Sequence, residues 1–279
     1  MDKNAKLRNF YDLIVPNQLK DNEFVRVTLI GKTNSDDELS RDFASNQFVK
    51  SFDEFCNLIS KYRYSRNIYM SIATVNDNGT GEATNQLRRQ VVFIDFDKKD
   101  YEHYKTLKDF TTHIKAQLPE LYNHAIVDTG GGYHFYIAVE PTTDIKRLVE
   151  INRALVQILG ADPRAASPTQ IVRVPYSYNL KYEPRKTVSI VSNCYGTKQL
   201  KPYSLERLES IVRFAKRNKE MSDVAAQTTG TEFVHDTYYH CIEKMISEGA
   251  NKGERNFCLG RIVKYLKEIR GYTRHSAQC

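Results

Sequence analysis

The chain of 279 residues carries no Cys-x-x-Cys pair and no cysteine–histidine cluster at zinc-ligand spacing. Its five cysteines, Cys56, Cys194, Cys241, Cys258 and Cys279, are widely separated and odd in number. Neither a disulfide framework nor a structural zinc site is therefore indicated, and the adjacent His240 and Cys241 are too few ligands to change that. There is no signal-like N-terminus and no apolar run of the roughly 20 residues that a bilayer crossing requires. A cytoplasmic protein with no membrane partner is the expectation. The net charge is modest, +7, but unevenly placed: residues 164–219 hold twelve Lys or Arg against three Glu, a balance of +9, and the remainder of the chain carries a net −2. A local excess of that kind suits phosphate, although a solvated lysine-rich face would look the same.

What the chain does have is organised around residues 91–97, Val-Val-Phe-Ile-Asp-Phe-Asp. A short continuous apolar run of strand formers is the pattern of a strand buried on both faces. Side chains two apart in a strand share a face, so Asp95 and Asp97 project together while Phe96 points the other way. Two acids held side by side repel unless a cation sits between them. Oxygen-ligand Mg2+ or Mn2+ ions meet that need, as in two-metal sites with ions about 3.5–4 Å apart. An acidic strand end running into the charged Lys98, Lys99 and Asp100 is the plainer alternative.

Residues 129–137, Thr-Gly-Gly-Gly-Tyr-His-Phe-Tyr-Ile, follow. The backbone of Gly130, Gly131 and Gly132 has no Cβ to shield it and can approach a phosphate closely. The same glycines suit a hairpin turn joining a strand at residues 125–127 to one at 133–137. In the second strand His134 and Tyr136 share a face, read as the polar one, and Phe135, Ile137 and Val139 share the other. His134 so placed is a candidate donor to a triphosphate oxygen.

At these residues the chain resembles the archaeo-eukaryotic primase superfamily, in particular the primase-polymerases of plasmids, phages and other mobile elements. The family's first motif, hydrophobic-Asp-x-Asp or Glu, corresponds to Ile94-Asp95-Phe96-Asp97. Its second, Ser-Gly-Gly-Gly-x-His, corresponds to residues 129–134, with Thr129 in place of serine. The third acid follows a helix, and Asp162 is the candidate, after the apolar positions Ile151, Leu155, Ile158 and Leu159. Residues 171–181, Ile-Val-Arg-Val-Pro-Tyr-Ser-Tyr-Asn-Leu-Lys, resemble the family's Arg-hydrophobic-Pro-Gly-Thr-x-Asn-x-Lys segment, with Tyr176 and Ser177 where Gly-Thr is common. The resemblance implies an α+β fold, with mixed β-sheets around an RRM-like core flanked by helices, and a small C-terminal helical segment. It implies that Asp95, Asp97 and Asp162 are catalytic and hold two divalent ions, Mg2+ or Mn2+. Nucleotide binding would fall to Gly130, Gly131, Gly132, His134, Arg173 and Lys181. Arg88 and Arg89, where members often carry a basic pair, would face template or nucleotide or equally have a plain surface role; Lys216 and Arg217, in the basic stretch, are candidate DNA contacts on charge alone. The implied partners are a single-stranded DNA template, a primer and (d)NTPs, with a helicase domain or protein expected nearby and a monomeric catalytic domain. Without the resemblance, Asp162 reads equally as part of a helix C-terminal turn, residues 160–163.

Taken in order, residues 1–23 read as a polar lead-in with one short amphipathic piece at 10–15, ended by Pro16. A strand is expected over 24–30, a polar loop over 34–40, and a helix opened by a Ser51/Glu54 capping box and running to about residue 59. One strand is expected over 67–74, a turn over 76–81, helices over 101–118 and 144–159, and a strand over 187–191. Leu205, Leu208, Ile211, Val212 and Ala215 have helical spacing. The expected organisation is a catalytic domain over 1–221, a small polar linker over 222–232, and an accessory domain over 233–279. Its two helices, 238–248 and 255–270, bury too little alone, so the natural protein is expected to continue.

The function expected is template-dependent nucleotidyl transfer, priming or extending DNA strands in the replication of a mobile element. One rival is a silent single-stranded nucleic-acid-binding module using the basic stretch and the 18 tyrosines, although a pure binder gains nothing from two anions beside its ligand. A tyrosine nickase needs a His-hydrophobic-His pair, which residues 134–136 do not supply. A metal-dependent phosphodiesterase on the same carboxylates stays open.

Overall fold

A computed structural model describes residues 3–31, 44–76, 82–101, 104–193 and 201–228, the side chains of 193 and 219–228 excepted. The elements in order are α1 (Lys3–Ile14), β1 (Val25–Ile30), β2 (Ser45–Val49), α2 (Phe52–Tyr62), β3 (Asn67–Ser71), β4 (Ala73–Val75), β5 (Gln86–Asp97), α3 (Leu107–Gln117), β6 (Ala125–Asp128), β7 (Gly132–Thr142), α4 (Ile145–Leu159), β8 (Ile171–Arg173), β9 (Tyr178–Asn179), β10 (Lys186–Thr187), β11 (Ser189–Asn193) and α5 (Leu205–Thr228). They build a five-stranded sheet in the order β11-β6-β7-β5-β4, a four-stranded sheet in the order β2-β1-β3-β8, and a β9-β10 ribbon. The ladders between these strands are antiparallel.

The strand holding the acidic pair lies inside the larger sheet, and the residues from Arg89 to Ile94 are buried, as a run apolar on both faces requires. The Phe96 face packs on α3, with Phe96 and Phe110 centroids 5.0 Å apart, and His113 Nε2 lies 2.8 Å from the Leu159 carbonyl, tying α3 to α4. On the other face Tyr136 meets Phe10 of α1 edge-on at 5.2 Å. The lead-in is thus a full helix with Leu7, Phe10, Tyr11, Leu13 and Ile14 buried, longer than the piece read from its apolar cluster.

Other departures have local causes. The run 67–74 is two strands, because the chain turns a corner at Ile72 and passes from the four-stranded sheet into the five-stranded one. The strand expected at 187–191 is likewise broken at Val188, which exchanges backbone hydrogen bonds with Tyr176 and Ser177. The helix expected from 101 starts at Leu107, where Thr106 and Asp109 form a reciprocal capping box. At α2 the Ser51 hydroxyl accepts from Glu54 N–H as expected, and the helix continues to Tyr62. The strand β2 has only Phe48 and Val49 as apolar residues and carries no alternation to announce it.

The chain divides into two compact units, Met1–Ala215 and Lys216–Cys279. The first contains every strand above, and Leu208, Ile211, Val212 and Ala215 of α5 are buried in it. In the second, the described backbone is helical from Lys216 to Thr228. Residues 222–228, read as linker, therefore continue the helix, as their alanines favour. The expected loop at 34–40, most of the turn at 76–81 and the helices at 238–248 and 255–270 lie outside the described residues. No described helix is long and apolar enough to cross a membrane.

Candidate active site

The register of β5 against β7 assembles two of the motifs. β5 and β7 pair so that Asp95 faces His134, Phe96 faces Tyr133 and Asp97 faces Gly132. Directly paired residues of an antiparallel ladder share a face, so the carboxylate of Asp95 and the imidazole of His134 lie side by side. The glycines are demanded by this packing. A Cβ on Gly132 would sit 2.0 Å from the Phe96 carbonyl oxygen, and Gly130 has φ +81°, a left-handed conformation that side chains resist. Two of the three glycine N–H groups are used within the turn: Gly130 donates to Asp128 Oδ1 at 2.7 Å and Gly132 to Thr129 Oγ1 at 3.1 Å. The open phosphate cradle imagined for all three is reduced to the Gly131 end.

Beyond Arg89 the second edge of β5 has no strand neighbour among the described residues, and the residues after α4 cover it. Gly160 ends α4 with φ 62°. Two residues later Asp162 N–H donates to the Asp95 carbonyl at 3.0 Å, and Asp162 caps a 3-10 turn, Pro163–Ala166. The acid placed by sequence in a helix C-terminal turn is thereby docked on the acidic strand. From the other sheet, Arg173 on β8 donates to Asn67 Oδ1 at 2.8 Å and lies 4.8 Å over the Tyr69 ring.

Electrostatics reflect this crowding. Burial first, then the charges of Asp162 and Asp97, push the Asp95 carboxyl up to about 7. Burial, with Arg173 second, brings His134 down to about 3, so the imidazole is neutral at working pH. The 3.6 Å between His134 Nε2 and Asp95 Oδ1 is consequently neither an ion pair nor a hydrogen bond. His134 Nδ1 lies 3.1 Å from Tyr136 Oη, which leaves Nε2 as the nitrogen for a ligand. The face read as polar is in fact buried, with Tyr136 fully enclosed. Arg164 grips Asp162, Nη2 to Oδ2 at 2.6 Å, and holds its carboxyl below the usual range. Lys99 Nζ stands 3.2 Å from Asp97 Oδ2.

The donor set suits a hard divalent cation: three carboxylates at one strand end, one of them hard to ionise beside the others. Among the described residues, however, no three His, Cys, Asp or Glu side chains are grouped closely enough to chelate an ion. Two of the acids are instead engaged by Arg164 and Lys99. The fit is therefore one of chemistry and charge, with side-chain movement needed to complete it.

The remaining expected residues separate. Lys181 is exposed, two residues past Asn179, whose side chain donates to the Thr129 carbonyl at 2.8 Å. The turn residue Tyr176, where the family pattern has glycine, takes φ 63°, a left-handed conformation that side chains rarely adopt. Arg89 is fully buried. Its Nε donates to the Val91 carbonyl, and its Nη1 and Nη2 have no partner among the described residues. Burial brings its pKa down to about 9, and a side chain so enclosed does not reach a DNA strand. This corrects the expectation of an Arg88/Arg89 contact pair. Arg88 is committed to Glu23, Nε to Oε1 at 2.7 Å. Lys216 and Arg217 are exposed on the second unit's part of α5.

Several neighbours escaped the sequence reading. Arg164 had a signal, its place two residues after Asp162. Lys98 and Lys99 follow the acidic motif, and Lys98 lies 3.7 Å from Asp128 Oδ2 and 4.3 Å over the Tyr133 ring. Lys186, whose Nζ donates to the Gly130 carbonyl at 2.8 Å, and Tyr182, whose hydroxyl crowds Gly131, had none.

No family profile and no curated protein matches the sequence. Among solved structures, the chain is similar to the AEP domain of the cyanophage S-2L primase-polymerase, with TM-score 0.54 and 13% identity over 75% of this chain and 97% of that one. Two structures of the primase RepB′ align with TM-scores of 0.49 each: one at 14% identity over 99% of this chain and 84% of that one, the other, its catalytic domain in complex with initiator DNA, at 15% over 80% and 98%. Two antiparallel sheets flanked by helices, matched across nearly the whole of the phage domain, give this chain an α+β fold similar to that of the phage AEP domain.

Proposed function

We propose that this chain is a template-dependent DNA primase-polymerase that transfers nucleotides from (d)NTPs on single-stranded DNA, in the replication of a mobile element. The observation that carries the reading is the docking of Asp162, through its N–H, on the Asp95 carbonyl of the strand that also carries Asp97, with His134 opposite Asp95, in a fold similar to that of a primase-polymerase domain. Asp95, Asp97 and Asp162 would hold the two divalent ions, Mg2+ or Mn2+. When bound, such ions lower the pKa of the attacking 3′-hydroxyl and stabilise the charge that develops on the leaving pyrophosphate.

The chain's own groups do the positioning. Neutral His134 offers Nε2 as a hydrogen-bonding atom that carries no charge of its own. The guanidinium of Arg173, held by Asn67 and Tyr69, supplies fixed positive charge beside it, and Lys181 adds an exposed ammonium. Such pre-set donors orient a triphosphate so that reaction becomes effectively unimolecular. Asp162 would hold an ion only with Arg164 released from it, and the freed guanidinium would then be available to a phosphate.

The grip of Arg164 and Lys99 on the acids also favours a second reading, a silent nucleic-acid-binding module in which the carboxylates are permanently neutralised. A template assay with single-stranded DNA, Mg2+ or Mn2+ and labelled nucleotides, with and without annealed primer, separates the two. Product that disappears in Asp95→Asn/Asp97→Asn, with DNA affinity kept, is the expected result. Tight DNA binding without product would establish the module, and shortening of labelled DNA without nucleotides would establish a phosphodiesterase.

A further inference from the structure

We propose that the exposed face formed by residues 61–66 and 178–186 is a stacking platform for a single strand of DNA, leading to the carboxylate site. The proposal rests on the reading of that site as acting on single-stranded DNA. The two segments are remote in sequence and meet only in the fold, where Arg185 Nη1 donates to the Tyr64 carbonyl at 2.9 Å. The Tyr64 and Tyr178 rings lie 5.3 Å apart at 31°, and the Arg63 guanidinium is 5.1 Å from the first centroid and 5.6 Å from the second. Towards the active site, Lys186 Nζ stands 4.0 Å over the Tyr182 ring and reaches the Gly130 carbonyl. The Tyr182 hydroxyl sits where a Cβ on Gly131 would fall, 2.4 Å from it. Rings and cations therefore run from Tyr64 through Tyr178 and Tyr182 to the glycine turn, whose Gly132 pairs with Asp97.

Two properties select the ligand. Tyr64 leaves 59% of its surface open, so burial in the core does not account for it. The two segments together carry six Lys or Arg and one acid, Glu183. Aromatic faces interleaved with cations bind strands whose bases are unstacked, because the bases lie on the rings while the phosphates meet the charges. A duplex hides its base faces and has no use for the rings. Stacking accepts any base, as copying an arbitrary template demands.

The test is fluorescence anisotropy without nucleotides and with EDTA, using labelled oligothymidylate of about 20 nucleotides, longer than the roughly 4–16 such sites cover. An abasic oligonucleotide of equal length is the second probe. Tyr64→Ala should weaken oligothymidylate binding about tenfold and leave abasic binding unchanged. Tyr64→Phe should keep the wild-type preference. Arg185→Gln should weaken both probes and lower the salt slope by about 0.7, the value for one phosphate contact on a single strand. Wild-type affinity of Tyr64→Ala for oligothymidylate, or equal losses on both probes, would overturn the proposal. Binding is read here without synthesis. An inactive enzyme that shows the base-dependent loss would overturn the primase reading alone, and an active enzyme without that loss would overturn the platform alone.

Discussion

Replacing Asp95 by asparagine should make the metal-free protein more stable, and more so as the pH rises. The carboxyl is pushed from its ordinary 3.8 to about 7, chiefly by burial and then by Asp162 and Asp97. A raised pKa means that the folded chain holds the proton more tightly than the unfolded chain. The stability this group contributes is complete below about pH 4 and is lost as pH rises to about 7, after which the loss levels off. At about 1.4 kcal/mol per factor of ten, the ceiling of that loss is roughly 4 kcal/mol. The side chain retains 27% exposure, and water screens part of the cost, so about 2–4 kcal/mol is expected. Asparagine has the shape of the protonated acid and never ionises. For a domain of this size the gain corresponds to roughly 4–15 °C in Tm. Thermal melts of both proteins in EDTA from pH 4.5 to 8 would read it. The variant should nearly match the wild type at the acid end and melt higher at pH 8. Millimolar Mn2+ should then raise the wild-type Tm at pH 8 by more than the variant's, since an ion stabilises only a protein that binds it when folded. Equal melting at pH 8, or a difference independent of pH, would refute the account of Asp95 as a strained carboxylate.

Two further substitutions probe the framework. Gly132→Ala places a Cβ against the Phe96 carbonyl, so β5 and β7 must part where they carry Asp97. It should cost about 1–3 kcal/mol in denaturant melts and abolish synthesis in the template assay. Arg89→Met removes a fully buried guanidinium whose Nη1 and Nη2 have no partner among the described residues. It should be neutral or stabilising by roughly 1–4 kcal/mol and leave DNA affinity unchanged. A loss of DNA affinity would restore Arg89 to the contact surface.

The sequence by itself determined the central strand, the order of Asp95, Asp97 and the glycine hairpin, and the helix α4 that precedes Asp162. These depend on neighbours in the chain: alternation within a strand, glycine where φ turns positive, a helix period with a cap at its start. The β6–β7 hairpin was legible because both strands and the glycine turn between them lie within one continuous stretch; the β5–β7 pairing that sets Asp95 against His134 reaches across α3 and β6 and was not. Splits such as that at Ile72 were not, because an unbroken β-forming run does not say which sheet each half will join.

Only the tertiary structure decided the electrostatics and the fate of the basic residues. Arg88 and Arg89 are adjacent and chemically alike. One is salted to Glu23 and the other lies in the core, because successive strand residues point to opposite sides. That His134 is neutral follows from its enclosure, and the association of Lys186 and Tyr182 with the glycine turn follows from the β9–β10 ribbon folding back over it. Contacts between residues more than a hundred positions apart, such as Tyr64 with Arg185, leave no trace in local pattern. They are set by where sheets and loops come to rest, and for this chain those long-range contacts determine which charges meet a ligand and which stay within the protein.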